Sequence, residues 1–252
     1  MIYLVLPVVA LLTATLSAIV GMGGGMLLLA TMFCFVSHSE AIPSHAAVQL
    51  ISNSTRTLAF LRQVDWRTVG RFLIGVVPGS FMGLFLLSWL GEPRGSEPWL
   101  KSLVGAYILG SLLAPRTTKQ SSASTWWDFP VLGVAAGMAA FTVGAVGPLI
   151  APLFVRRNFV KERLVATKAL CQSFIHTAKI PGFLLLRSYE NLEALGAVTL
   201  AMAVLVVPGT LLGKRVLKDV SEQRFVLFYR LALLAAGLKV LLVDGVVPLL
   251  RG

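Results

Sequence analysis

Val76-Val77-Pro78-Gly79-Ser80-Phe81-Met82-Gly83 recurs 130 positions later as Val206-Val207-Pro208-Gly209-Thr210-Leu211-Leu212-Gly213, and this pair of octapeptides decides the fold class. A VVPG[ST]xxG match is hard to reach by chance, so it marks an internal repeat. The same order of features surrounds each copy: a glycine-broken apolar hairpin, a polar-striped helix, a loop, the helix carrying Pro-Gly, and a final helix. Each half is thus a hairpin plus three crossings, which makes the second half enter the membrane from the opposite face. The expectation is two inverted repeats, 1–114 and 129–252, joined by a cytoplasmic linker at 115–128. Repeats of this kind meet at a pseudo-two-fold axis in the membrane plane, with interrupted helices placing a substrate site near the midplane. Two readings of Pro78-Gly79 and Pro208-Gly209 stay open, a packing kink and a hinge.

Composition supports the membrane assignment. Of 252 residues, 56% are hydrophobic and 13% charged, against roughly 25% charged in soluble proteins, and the mean hydropathy is +0.82. A soluble globule could not cover such a core, which excludes a cytosolic enzyme, a secreted domain and a disordered tail. Six apolar runs are candidate crossings of a bilayer core: 44–62, 68–90, 99–114, 164–186, 192–213 and 225–243. Two longer runs, 2–36 and 129–155, are broken at Gly21-Met22-Gly23-Gly24-Gly25 and at Gly144-Ala145-Val146-Gly147-Pro148. Their return arms, 26–36 and 148–155, reach only about 16 Å and 12 Å at 1.5 Å per residue, so the hairpin tips are expected near mid-membrane. The predicted fold is an all-α polytopic membrane protein. Residues 2–20 lack a basic n-region and a small-residue cleavage pattern, and read as a retained hairpin arm.

The formal charge of +11 is explained by basic cytoplasmic loops, with no nucleic-acid partner implied. With both hairpins counted as double passes, thirteen loop Lys and Arg residues fall inside and four outside, Arg94, Lys101, Arg187 and Arg251. Both termini then face the periplasm. Cys34 and Cys171 lie in apolar runs and read as free packing residues; neither a metal site nor a cofactor is expected.

All 11 acidic residues lie in or beside loops, whereas Arg56, Lys168, Lys179, Arg230 and Lys239 lie within spans, together with His45 and His176. Cations in hydrocarbon cost about 2.5 to 3.5 kcal/mol each on the insertion scale, so without internal carboxylates another negative charge is needed, and an anionic substrate supplies it. Arg230, Lys239 and Lys179 sit near helix ends, where snorkelling to the surface is the simpler reading. The others form stripes. Lys168, Gln172, His176 and Lys179 share one helix face, and His45, Gln49, Ser52 and Arg56, with Asn53 beside them, share another. At an offset of 120, Ser52 aligns with Gln172 and Arg56 with His176. Two such stripes form either two walls of one anion cavity or a helix-to-helix hydrogen-bond seam. Return arms starting after Gly24-Gly25 or at Gly147 would aim free N–H groups and a positive dipole end into that cavity; close helix packing is the alternative use of these glycines. The expected substrate-binding set is Gly24, Gly25, Ser52, Asn53, Arg56, Gly147, Gln172 and His176, with His45, Gln49, Lys168 and Lys179 as secondary candidates.

Gly21-Met22-Gly23-Gly24-Gly25-Met26-Leu27-Leu28-Leu29, the stretch SHAAVQLISNSTRTLAFLRQVDW at 44–66, and VVPGSFMG with its echo resemble the TauE/SafE group of bacterial membrane transporters, over nearly the whole chain. That resemblance implies export of small sulfur-containing oxyanions, sulfite or organosulfonates such as sulfoacetate, across the bacterial inner membrane. The family often has proline a few residues after the first glycines, where Ala30 stands here; the second half keeps Pro148 and Pro152, and its glycine cluster is reduced to GAVGP. Proton coupling of export stays open through His45 or His176, and three alternatives remain at this level: a cation- or proton-coupled importer of the same anions; a non-transporting membrane subunit; and an intramembrane hydrolase using Ser52 with His176 or Cys171. The sequence leaves open whether the chain forms a homo-oligomer.

Overall fold

The computed structural model describes residues 2–20, 23–89, 93–113, 125–157, 159, 161–185, 193–216, 230–231, 234–235 and 237–251. Among them there is no strand. The helices are α1 (Ile2–Val20), α2 (Gly24–Met32), α3 (His38–Ala59), α4 (Trp66–Trp89), α5 (Pro93–Leu113), α6 (Asp128–Thr142), α7 (Gly147–Arg156), α8 (Lys161–Leu185), α9 (Glu193–Val216), a π-helical segment (Lys239–Val246) and α10 (Val247–Arg251). Gly21, Met22, the linker residues 115–124 and, within the expected crossing at 225–243, residues 225–229, 232–233 and 236 lie outside the described residues.

Local chemistry sets the boundaries. Both apolar hairpins turn where expected, at Gly23 (φ 95°) and Gly144 (φ 85°), a left-handed backbone that glycine adopts at little cost. The return arms α2 and α7 are 9 and 10 residues long. α3 starts with a capping box in which the Ser37 N–H and hydroxyl both donate to the Glu40 carboxylate, at 3.0 and 2.6 Å. α5 begins at Pro93, earlier than the hydropathy run at 99–114, and Pro93 suits the first helical position because its missing N–H has no intrahelical partner there. Pro78 and Pro208 lie inside α4 and α9 and end neither helix.

Asp65 opens α4: its Oδ1 accepts the Thr68 N–H at 3.0 Å, its own N–H donates to the Thr167 hydroxyl at 3.0 Å, and its carboxylate meets Arg163. Partial burial pushes the Asp65 carboxyl up, but the Thr68 N–H and the Arg163 guanidinium outweigh it and hold it below the usual carboxylate value. A carboxyl depressed on folding stabilises the fold above its unfolded pKa, and that contribution is lost as pH falls through the lower folded value. Arg163 is half exposed, so most of the effect is the helix cap, worth about 1 kcal/mol. Asp65→Asn is expected to lower the thermal midpoint at pH 7 and to flatten its decline below about pH 4; an unchanged midpoint would remove Asp65 from the stability of the loop.

Close glycine contacts dictate the helix pairing. α4 packs on α6, and α1 on α9; α3 and α8 pair at the centre, α3 also touching α9 and α8 touching α4. A Cβ on Gly75, Gly79 or Gly83 would fall 1.8, 2.2 or 2.6 Å from the carbonyl oxygens of Pro130, Val134 and Met138 on α6. On α9, Cβ atoms at Gly209 and Gly213 would fall 2.4 Å from the carbonyl oxygens of Leu11 and Thr15 on α1. Small residues spaced by four let the backbones touch, the packing mode of helices in lipid. The opposite face of α4 exposes Ile74, Val77, Phe81 and Phe85 between Trp66 and Trp89 at its two ends, a lipid-facing band with an aromatic at each interface. α4 and Gly196–Val216 of α9 are long and apolar enough to cross a membrane.

Candidate anion cavity

α3 and α8 run antiparallel. Thr167, near the start of α8, meets Asp65 just beyond the end of α3, whereas His176, further along α8, meets His45 near the start of α3. The two polar stripes therefore face each other in layers. His45 and His176 form one end, with ring centroids 5.8 Å apart and planes at 72°. Gln49 and Gln172 occupy the middle, and Arg56 and Lys168 the other end. These side chains, together with Asn53, line one cavity. Ser17 of α1 and the two hairpin turns, Gly23, Gly25 and Met26 on one side and Ala145, Val146 and Gly147 on the other, complete its wall.

The polar atoms are arranged to give rather than accept. Arg56 donates from Nη1 to the Asn53 Oδ1 and from Nη2 to the Ser52 hydroxyl, both at 3.1 Å. Its Nε has no partner, nor does the Asn53 Nδ2, whose carbonyl is committed to Arg56. Arg56 and Lys168 are buried at 3% and 1% exposure, and among the described residues neither pairs with a carboxylate, whereas Arg157 meets Asp128, Arg163 meets Asp65 and Lys239 meets Asp244. Two buried cations without counter-charge, beside unpartnered N–H groups, match a small oxyanion.

The glycine turns come close to the amides: a Cβ on Gly25 would lie 3.0 Å from the Gln49 Oε1, and one on Gly147 3.4 Å from the Gln172 Nε2. The two turns are unequal as anion seats. Pro148 in the first turn of α7 has no N–H, and the Leu149 N–H donates to the Tyr107 hydroxyl at 3.0 Å, so α7 offers the cavity fewer free donors than a helix start ordinarily does.

Of the residues expected at the site, the structure brings Gly25, Asn53, Arg56, Gly147, Gln172 and His176 to one cavity, with His45, Gln49 and Lys168. Three lie off its wall. Gly24 packs against α1, where a Cβ would fall 2.0 Å from the Thr13 carbonyl oxygen. Ser52 acts through its bond to Arg56. Lys179 is fully buried and donates to the Gly144 carbonyl at 2.9 Å, so it secures the tip of the second hairpin; the snorkelling expectation is overturned, because the left-handed turn directs a carbonyl inward to receive the ammonium. Lys239 also has an internal partner, since π-helical i, i+5 spacing brings it 2.8 Å from Asp244. The hinge candidates Gly79 and Gly209 are points of helix contact, on α6 and α1 respectively. Ser17 and Tyr107 were not anticipated, as a single hydroxyl in an apolar run carries no periodic signal.

Comparison with known proteins agrees with this chemistry. The sequence pattern of the family described as "Sulfite exporter TauE/SafE" matches residues 6–240. A protein of Cupriavidus necator named "Probable sulfite/organosulfonate exporter TauE" is 28% identical over 179 residues, covering 68% of this chain and 67% of that protein. No solved structure matches the chain. With a family pattern that runs through both hairpins and both polar stripes, the chain belongs to the TauE/SafE family of membrane transporters.

Proposed function

We propose that the protein exports small sulfur-containing oxyanions, sulfite or short organosulfonates, across the bacterial inner membrane by alternating access. The observation that carries this reading is the pair of buried cations, Arg56 and Lys168, lining one cavity with no carboxylate on its wall. The substrate supplies the missing negative charge. Gly25, Asn53, Gly147, Gln172 and His176 orient it, with His45 and Gln49 completing the wall. The name of the Cupriavidus necator relative supports the substrate class. An inside-negative potential favours outward movement by about 2.3 kcal/mol per charge per 100 mV, so export needs no coupled cation. A cation-coupled importer would ordinarily carry a carboxylate at its ion site, and the wall has none.

The proposed architecture is two inverted repeats, 1–114 and 129–252. Its support is the exchange of partners, since α4 of one half packs on α6 and α9 of the other on α1, with Gly79 and Gly209 at the two contacts. The central elements favour an offset of 123 over 120: Gly24 and Gly147 open the return arms, His38 and Lys161 open the striped helices, and Gln49 and Gln172 lie against their respective glycine turns. In this reading both termini face the periplasm and the Arg56 and Lys168 end of the cavity faces the cytoplasm, which the charge bias of the loops supports.

The test is flux of sulfite, sulfoacetate, taurine, acetate and sulfate into liposomes holding the purified protein, with an imposed potential. Saturable, potential-dependent, sodium-independent movement of sulfite or a sulfonate is expected. Folded protein that moves none of these anions would defeat the reading and favour a role as a non-transporting subunit.

A further inference from the structure

We propose that Nδ1 of His45 is a binding site for a proton whose uptake accompanies anion binding. The tautomer follows from geometry. His45 Nε2 lies 2.8 Å from the Gly25 carbonyl oxygen, a group that only accepts, so Nε2 carries the hydrogen. In the neutral ring Nδ1 is then a bare lone pair. It is buried and has no partner. A lone pair cannot donate to an anion and presents its negative end to one; protonated, the same atom becomes an N–H donor on a cationic ring.

The surroundings couple the two ligands. Facing His45 are His176 and Lys179 from α8, with Lys168 of α8 and Arg56 of its own helix at the far end of the same cavity; α1 contributes Ser17, α2 has no titratable side chain, and the α7 turn contributes Gly147. Every ionised neighbour is thus positive and opposes a further positive charge on the ring. A bound anion removes that opposition. At an effective dielectric of about 20, a unit charge about 10 Å away changes a proton affinity by more than tenfold. Because linkage is reciprocal, the proton tightens anion binding by the same factor. Two imidazoles 5.8 Å apart share one proton between them, since the second would meet a like charge. The imidazoles lie at the opposite end of the cavity from Arg56 and Lys168, so the proton does not take the donors the anion needs.

The inference rests on the anion reading of the cavity, and one titration separates the two. Methanesulfonate keeps a fixed charge from pH 5.5 to 8, so binding to the full-length protein in detergent reports protons on the protein alone. Its affinity is expected to tighten on acidification, by about tenfold in all across the range, with net proton uptake on binding in weakly buffered solution. His45→Gln retains a side-chain N–H for the Gly25 carbonyl and cannot titrate; it is expected to bind with weaker, pH-independent affinity and no proton uptake. Wild-type binding that is flat with pH, or a slope that survives in His45→Gln because His176, Lys168 or Lys179 carries it, overturns the assignment while leaving the anion site standing. Absence of methanesulfonate binding at every pH overturns both.

Discussion

Arg56→Ala is expected to cut saturable anion flux at least about 100-fold while the protein stays folded in the membrane. A buried charge-assisted contact to an anion is worth about 3 kcal/mol, and each 1.4 kcal/mol is roughly tenfold. Arg56 bonds within the folded protein to Ser52 and Asn53 on its own helix, so its removal leaves no tertiary hydrogen bond broken and relieves a charge that nothing else neutralises. Arg56→Lys is the informative companion. It keeps the charge but loses the planar fork, so partial flux would identify geometry, and full flux would identify charge alone, as the guanidinium's contribution. The measurement is liposome flux normalised to monodisperse protein; near-wild-type flux in Arg56→Ala would remove the residue from the site.

Gly75→Val is expected to abolish accumulation of folded protein, the largest stability effect along α4. Its Cβ would fall 1.8 Å from the Pro130 carbonyl oxygen and 2.8 Å from the Val134 nitrogen. Both are backbone atoms of α6, so no side chain can rotate away and the helices must separate, opening the buried seam around Phe72, Val76 and Ala136. The cost exceeds about 3 kcal/mol, above the usual range for overpacking. Gly70 on the same helix is the control, since a Cβ there meets nothing within 4 Å. Gly70→Ala should raise the thermal midpoint slightly, by the helix-propensity gain of up to about 1 kcal/mol. Equal behaviour of the two variants in a detergent melting series would dismiss the α4–α6 contact as a determinant of the fold.

The parts of this molecule that were readable from sequence are those governed by periodicity. Apolar runs placed α4, α8 and α9 to within three residues at each end, whereas the run at 44–62 missed the start of α3 by six, because the polar first turns of α3 carry no apolar signal. Glycine clusters placed both turns, as the chain needs a left-handed residue there. The stripes at His45, Gln49 and Arg56, and at Lys168, Gln172 and His176, gave the cavity walls, since polar side chains spaced by three and four can only share a face.

What periodicity does not encode is what a side chain meets across space. Matching Ser52 with Gln172 rewarded a resemblance of polar letters, whereas the contacts pair Gln49 with Gln172 through their glycine turns. Lys179 near a helix end has the same pattern whether it reaches water or a carbonyl, and only the Gly144 turn distinguishes them. The Lys239 and Asp244 pair depends on a π-helical spacing that α-helical counting does not contain. Tyr107 enters through a single bond to a backbone N–H on another helix, which leaves no mark in its own neighbourhood.

The pairing of α1 with α9 bears on how the chain is made. The ribosome releases α1 first, yet the surface that receives Leu11 and Thr15 belongs to Gly209 and Gly213, which emerge after seven other helices have been threaded into the bilayer. Until then α1 must wait in lipid with its backbone carbonyls ungripped, while α4 can already clasp α6. Maturation is therefore gated from the carboxyl-terminal side: a chain stalled before Gly213 would carry a closed second seam and an open first one, a state that quality-control proteases could tell from the finished transporter by the exposed face of its leading helix.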